Sequence, residues 1–379
     1  MKRKALKIGG IVIGSLVLLI LFAGPILNKL GVETLCIQGD LSDLQFVRCP
    51  EVADAQPTAT PYPLPTPAQE DPIPVIFDDD GSPDGVIALL YFLRNPLYDI
   101  KAVTVSQGEA HPQLFAQHVA KLLTSFGRED IPVGFGRETP LEGDNAFPEP
   151  WREASDLFFE IPLPQAAASA EPRPAPELIV EMLNSSTDPM MVFVSGTQTN
   201  LAEALRLDPG IGEHILGVYL MGGSVYVPGN IESDWPEIHN TVAEWNIWAD
   251  PLAASEVFAS GLPLHLIPID ATNQILWTTA DAQTWTSSPF PETVMAGEFL
   301  KWMLRSWSLE AAYIWDLVAA VSATDPGLCP EVQLALDVDL DAGSEQGRTI
   351  VVGKSANAWV CLDPDSEQIR ARVAGILGQ

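Results

Sequence analysis

From Ile73 onward the sequence alternates short apolar runs with segments of helical length, and this alternation restricts the folds open to it. "IPVIFDD" has the length of a strand and "DGVIALLYFLRN" that of a helix. "IKAVTVS" and "HPQLFAQHVAKLLTSFG" repeat the pair, the second closing at a glycine. "PMMVFVSG" precedes "TNLAEALRLDP", "HILGVYLMGG" precedes "DPLAASEVFASG", and "LPLHLIPID" reads as a further strand. Such alternation implies parallel βαβ units, and hence an α/β fold with an open, doubly wound, mostly parallel sheet. Ligands of these sheets sit at the carboxyl ends of the strands. A hydrophobic fraction of 47% over 379 residues is ample for the core this requires.

The chain begins differently. Ile8 to Leu27 contains no charged residue, and a membrane-spanning helix needs ~20 apolar residues. Lys2, Arg3, Lys4 and Lys7 precede the run, which keeps the start cytoplasmic and exports the rest. A cleaved signal peptide is the rival, and it would leave the protein secreted. Its apolar core is ~7–15 residues long and ends in an A-x-A-like site. The longer run here, without a strong site of that kind, favours an uncleaved transmembrane anchor. Residues 53 to 74 are rich in Pro, Thr and Ala and read as a semi-extended linker. The expected organisation is a cytoplasmic stub and anchor at 1–30, a cysteine-containing segment and linker at 31–72, and an extracytoplasmic folded domain at 73–379. All four cysteines lie beyond the apolar run. An even number in an exported chain fits two disulfides. Three pairings are possible, and the one joining sequence neighbours, Cys36–Cys49 and Cys329–Cys361, is expected. The net charge of −30 argues against nucleic acid and anionic membrane surfaces as partners.

The stretch "VIFDDDGSPDGVIALL" places Asp78, Asp79 and Asp80 at the end of an apolar run and Asp84 just past the turn Gly81-Ser82-Pro83. Ser195 and Gly196 follow the "MMVFV" run, and Gly222 and Gly223 follow "GVYLM". All are expected on one loop rim. Carboxylates buried together repel unless a cation or a proton separates them. Oxygen ligands in this number suit Ca²⁺, which takes ~6–8 oxygens at ~2.3–2.6 Å. The plainer reading has Asp78 and Asp80 capping the next helix and the others solvated. A cap needs one carboxylate, and four are present.

At this point the residues resemble a known family. "DDDGSPDGVIAL" is similar to the N-terminal signature of the nucleoside hydrolases, Asp-x-Asp-x-x-x-Asp-Asp, and its Asp-x-Asp-Gly form to the purine-preferring branch. "VSGTQTNLAEALRLDP", "YLMGGS", "AEWNIWADPLAA" and "IWDLVAA" resemble later segments of the family in the same order, and "NAFPEPWR" a stretch of the purine-preferring branch. The resemblance spans about residues 73 to 325. It implies hydrolysis of the N-glycosidic bond of ribonucleosides, purine ones above all, to free base and ribose. It also implies a small-molecule nucleoside as partner and Ca²⁺ as cofactor. By the match, Asp80 is the general base and a metal ligand. Asp316 and the backbone carbonyl of Ser195 are further ligands. Asp78 supports the loop and the substrate, Asp84 binds a ribose hydroxyl, and Asn230, Glu244 and Asn246 hold the sugar. Glu244 and Asn246, two apart, share a face if the chain there is extended. A polar turn opening a helix before Asp250-Pro251 is the other reading of that pair. Trp151 and Trp315 are the expected slabs for the leaving base, with ordinary core positions as the alternative. His111, His118, His214, His239 and His265 occupy no family acid position. The oligomeric state is open, a homodimer included.

The pattern departs from the family at Gly85, where the second of two adjacent aspartates is expected and where the family carries a metal-gripping carboxylate. Calcium affinity is therefore expected to be weakened. Asp79 and Glu109 are the candidates to compensate, although an extended strand points Asp79 away from the side that carries Asp78 and Asp80. Two functions follow. One is an active hydrolase, and the other a non-catalytic extracytoplasmic descendant that binds nucleosides or ribose.

Overall fold

In the computed structural model of this chain, residues 71–163, 170–353 and 355–378 are described in full, with the backbone of two short strands nearer the N-terminus. Those strands, β1 (Leu35–Gln38) and β2 (Gln45–Arg48), pair antiparallel. The apolar run Ile8–Leu27 and the Cys36–Cys49 pairing lie outside the described residues. Among the described residues, no helix is long and apolar enough to cross a membrane.

The chain from Ile73 forms the expected alternation. Its strands are β3 (Ile73–Asp79), β4 (Tyr98–Val105), β5 (Val133–Phe135), β6 (Arg173–Pro174), β7 (Met190–Val194), β8 (Ile215–Met221) and β9 (Leu264–Ile267). A small antiparallel pair follows, β10 (Leu276–Thr278) with β11 (Ala311–Tyr313). After β12 (Glu331–Leu334), a second pair joins β13 (Leu336–Val338) to β14 (Thr349–Val351), and β15 (Ala358–Cys361) closes the series. The main sheet has nine strands in the order β12-β15-β9-β8-β7-β3-β4-β5-β6. Every neighbouring pair is parallel except β12 with β15.

This order sets the position of the site. The chain runs outward from β3 through β4 and β5 to β6, then returns to the other side of β3 as β7 and runs outward again through β8 and β9. The reversal between β3 and β7 is the topological switch point, where the carboxyl ends of adjacent strands open a crevice. Asp78 and Asp79 end β3, and Ser195 follows β7 directly.

Packing explains why β3 reads as a continuous apolar run. Side chains alternate across a strand. Val75 and Phe77 join one buried cluster and Ile76 the other, so helices cover both faces. The helix Pro83–Arg94 is buried along almost its whole length, from Pro83 to Phe92, as expected for a helix apolar on all sides. It opens at Ser82, whose side chain accepts from the Gly85 N–H, and Pro83 sits at its first position. The cap is therefore neither Asp78 nor Asp80. Cys329 and Cys361 are disulfide-bonded with their Cα atoms 5.6 Å apart, tying the loop before β12 to the end of β15.

Candidate active site

A cavity of about 510 Å³ opens at the switch point, with Asp80, Asp84, Glu109, Ser195, Asn230, Glu244, Asn246 and Asp316 in its lining. Among the described residues, no lysine, arginine or histidine lines it. Phe147, Trp151, Trp245, Trp307, Tyr313 and Trp315 supply its aromatic wall.

The acidic floor is assembled from the two ends of the domain. Asp80 leaves β3, and the Glu109 N–H donates to its Oδ2 at 3.2 Å. Two glycines press against it. A Cβ on Gly196 would lie 2.6 Å from the Asp80 Cβ, and one on Gly108 would lie 2.3 Å from its Oδ2. Asp316 lies in the first turn of the helix Trp315–Thr324. Its Oδ2 accepts from Ser82 Oγ at 3.0 Å, and its backbone N–H donates to Asp84 Oδ2 at 3.2 Å. Asp80, Asp84 and Asp316 are all nearly inaccessible to solvent.

Asp78 does not line the cavity. Its Oδ1 accepts from Thr104 Oγ1 at 2.5 Å and from Asn200 Nδ2 at 2.7 Å, behind the floor. β3 ends at Asp79, so the alternation that would put Asp78 beside Asp80 stops there. Asp78 braces the loop rather than facing a substrate. Thr104 and Asn200 are the residues that hold it. Asn200 lies in the "TNLAEA" segment, which carried the family pattern without a role for this side chain.

Asp79 also differs from the sequence expectation. Its side chain turns toward the start of the helix Pro83–Arg94. Oδ2 accepts from the Gly81 N–H at 2.8 Å and Oδ1 from Ser195 Oγ at 2.9 Å. The strand-alternation argument holds for direction but not for distance, because the chain folds back over that face within three residues.

The sugar-side residues come together differently from an extended pair. Glu244 caps the short helix Trp245–Ala249, its carboxylate accepting from the N–H groups of Asn246, Ile247 and Gly223 at 3.0, 3.3 and 2.8 Å. The capping role and the cavity position are thus both realised in one side chain. Asn246 Nδ2 donates to the carbonyl oxygens of Ser195 and Met221, each at 3.2 Å. The Ser195 carbonyl assigned to a metal is therefore already engaged on one side. Asn230 Oδ1 is buried without a partner.

Trp151 and Trp315 are half-buried and line the cavity, so neither is a plain core residue. Trp151 packs against Trp245 with ring centroids 5.2 Å apart, and Trp315 against Tyr313 at 5.7 Å. Trp315 Nε1 donates to Asn273 Oδ1 at 2.7 Å. Trp245 and Tyr313 were not among the sequence candidates, since aromatic residues without a motif give no signal of which ones reach a cavity. The histidines stand elsewhere, His111 and His118 on Asp156 and His265 on Glu331.

Burial governs the electrostatics. It raises Asp80, Glu109 and Asp316 well above the usual carboxylate range, with neighbouring carboxylates adding to each shift. Burial also lifts Asp78, Asp79 and Glu244 to about 7 and Asp84 to about 6. With no basic side chain in the wall, protons or a cation must balance these groups. The donor set fits a hard cation: carboxylate, amide and carbonyl oxygens and no imidazole, the single lining sulfur, Met221 Sδ, already accepting from Asn246. Among the described residues, no three acidic, histidine or cysteine side chains are already gathered around one point.

The comparisons agree with this geometry. The pyrimidine-specific ribonucleoside hydrolase RihA of Citrobacter koseri is 30% identical over 305 residues, covering 78% of this chain and 95% of that protein. The same-named protein of Escherichia coli is 29% identical over the same span. A purine-preferring ribonucleoside hydrolase from Gardnerella vaginalis is similar in fold, with a TM-score of 0.71 at 22% identity, covering 80% of this chain and 99% of that one. The inosine-uridine preferring nucleoside hydrolase of Bacillus anthracis matches equally, with a TM-score of 0.71 at 22% identity, over 81% of this chain and 99% of that one. These relatives do not separate a purine-preferring branch from the others. Residues 75–371 match the profile of the inosine-uridine preferring nucleoside hydrolases, and the chain belongs to that family of N-glycosyl hydrolases.

Proposed function

We propose that the protein hydrolyses ribonucleosides with a preference for purine bases, and that Ca²⁺ bound among the cavity carboxylates supports the reaction. The observation that carries this reading is one cavity with an acidic, cation-free floor and an indole wall. Bound there, Ca²⁺ would lower the pKa of a water and grip ribose hydroxyls. Asp80 and Asp316 would be its carboxylate ligands, with the Ser195 carbonyl as a further oxygen.

Asp80 takes the proton from the attacking water. The water oxygen bonds to the anomeric carbon as the bond from that carbon to the base breaks, through an oxocarbenium-like state. The base leaves with the bonding electron pair and is protonated by solvent, since no histidine lines the cavity. Asp84, Asn230, Glu244 and Asn246 orient the ribose. Trp151 and Trp315 stack on the base, a contact worth ~0.5–1.5 kcal/mol beyond burial.

The pyrimidine-specific names of the relatives near 30% identity favour a second reading, with pyrimidine nucleosides as substrates. Base release from inosine, adenosine, guanosine, uridine and cytidine by the full chain, with Ca²⁺ and with chelator, separates the two. Higher kcat/KM for uridine and cytidine would overturn the purine preference. Saturable nucleoside binding with no base release at all would point to the non-catalytic descendant that the loss at Gly85 suggests.

We also infer, from the uncharged run Ile8–Leu27 behind four basic residues, that the hydrolase domain is exported and membrane-anchored. Recovery of the protein in the soluble cytoplasmic fraction would overturn this.

A further inference from the structure

The carboxylate of Asp79 lies where a side chain at position 85 would begin. A Cβ built on Gly85 falls 1.8 Å from Asp79 Oδ1 and 2.6 Å from Asp79 Cγ. Both are far inside van der Waals contact, so a side chain at position 85 requires Asp79 to leave its present rotamer. Neither side can easily yield. Gly85 is the third residue of a buried helix, and its N–H is held by Ser82 Oγ at 2.9 Å. Asp79 is 4% exposed and anchored by Gly81 and Ser195.

The two donors to Asp79 are a backbone amide and a hydroxyl, both neutral, and each carboxylate oxygen keeps a further lone pair. Ser195, which holds Oδ1, is itself part of the cavity wall together with Asp80, Asp84 and Asp316. A separate observation points to a ligand in the adjoining cavity, whose lining does not include Asp79 itself. The buried Oδ1 of Asn230, in the same wall, has no hydrogen-bond partner.

We propose that Asp79 and Gly85 are an exchanged pair: Asp79 supplies to Ca²⁺, from the strand end, the carboxylate that the family pattern places on residue 85, and residue 85 is glycine so that Asp79 can enter. The inference rests on the calcium reading of the site. It removes the missing ligand as a reason to regard the site as disabled, since the number of acidic groups is kept and only their origin in the chain changes.

Calcium titration calorimetry on the chelator-treated full chain tests it, with circular dichroism to confirm folding. Asp79→Asn keeps the shape and one acceptor oxygen while removing the charge, and is expected to weaken Ca²⁺ binding by about 100-fold or more. Gly85→Asp alone is expected to bind no tighter than wild type, because the added side chain collides with Asp79. Asp79→Ala combined with Gly85→Asp is expected to return affinity to within about tenfold of wild type. This double variant also serves as the test if Asp79→Asn fails to fold. Tighter binding by Gly85→Asp with Asp79 intact would overturn the exchange, as would unchanged binding by Asp79→Asn. Loss of binding in Glu109→Gln while Asp79→Asn binds normally would overturn it in favour of Glu109. If wild type binds no Ca²⁺, the calcium reading falls and the exchange with it, an outcome distinct from the others.

Discussion

The backbone N–H of Asp316 donates to the Asp84 carboxylate at 3.2 Å, across 232 residues of sequence. Beside it, Ser82 Oγ donates to Asp316 Oδ2 at 3.0 Å while accepting from the Gly85 N–H. One serine thus closes a helix N-terminus and couples the first acidic loop to the last. The acidic floor is held in place by neutral donors, not by basic side chains.

Ser82→Ala removes both contacts. An N-cap lost to alanine costs ~0.5–2 kcal/mol, and the freed Asp316 oxygen loses its donor. The denaturant midpoint is expected to fall with an unchanged slope, and kcat to fall as Asp316 loses its orientation. Unchanged stability and turnover would remove Ser82 from the account.

Asp80→Asn keeps the size of the side chain and removes the base. At Ca²⁺ raised to saturate the variant, since Asp80 is also a proposed ligand, the expected outcome is a loss of about 10²–10⁴ in kcat, with nucleoside binding retained through Asp84, Glu244 and Asn246. Base release measured under single-turnover conditions checks this. Turnover within threefold of wild type would place the base elsewhere, Glu109 being the nearest alternative in the wall.

The carboxylates also set a pH dependence. Asp84 is lifted to about 6, and Asp78, Asp79 and Glu244 to about 7, by burial in each case. Their folded values lie above the unfolded ones. The stabilisation is therefore fully present below the unfolded carboxylate range, at about pH 4, and is lost progressively from there until pH has risen through the folded values of about 6 to 7. Chelator-treated protein is expected to melt at progressively lower temperature across that window. Added Ca²⁺ is expected to raise the melting temperature most at its upper end, where the carboxylates would otherwise be charged and unbalanced. A melting temperature that rises with pH in chelator would contradict this.

Trp151→Ala and Trp315→Ala test the indole wall. Each is expected to lower kcat/KM for inosine more than for uridine, the difference matching the ~0.5–1.5 kcal/mol of an aromatic stack. Equal losses for both substrates would make the tryptophans supports of the cavity rather than selectors of the base.

The strand–helix alternation was legible in the sequence because both faces of β3 are buried, so Val75, Ile76 and Phe77 had to be apolar in an unbroken run. The acidic loop was legible as well, since four carboxylates at the end of such a run have no use in a core. The Cys329–Cys361 bond followed from an even count and from nearness in sequence. Tertiary structure alone decided the rest. It placed Asp78 behind the floor, on Thr104 and Asn200, because β3 stops at Asp79 and the period-two rule stops with it. It made Glu244 a helix cap and a cavity residue at once. It brought Asp79 against Gly85, because the helix that follows β3 packs back over the strand end. A pattern along the chain fixes which way a side chain leaves the backbone. What that side chain meets depends on another segment passing within a few ångströms, and no local period in the sequence carries that information.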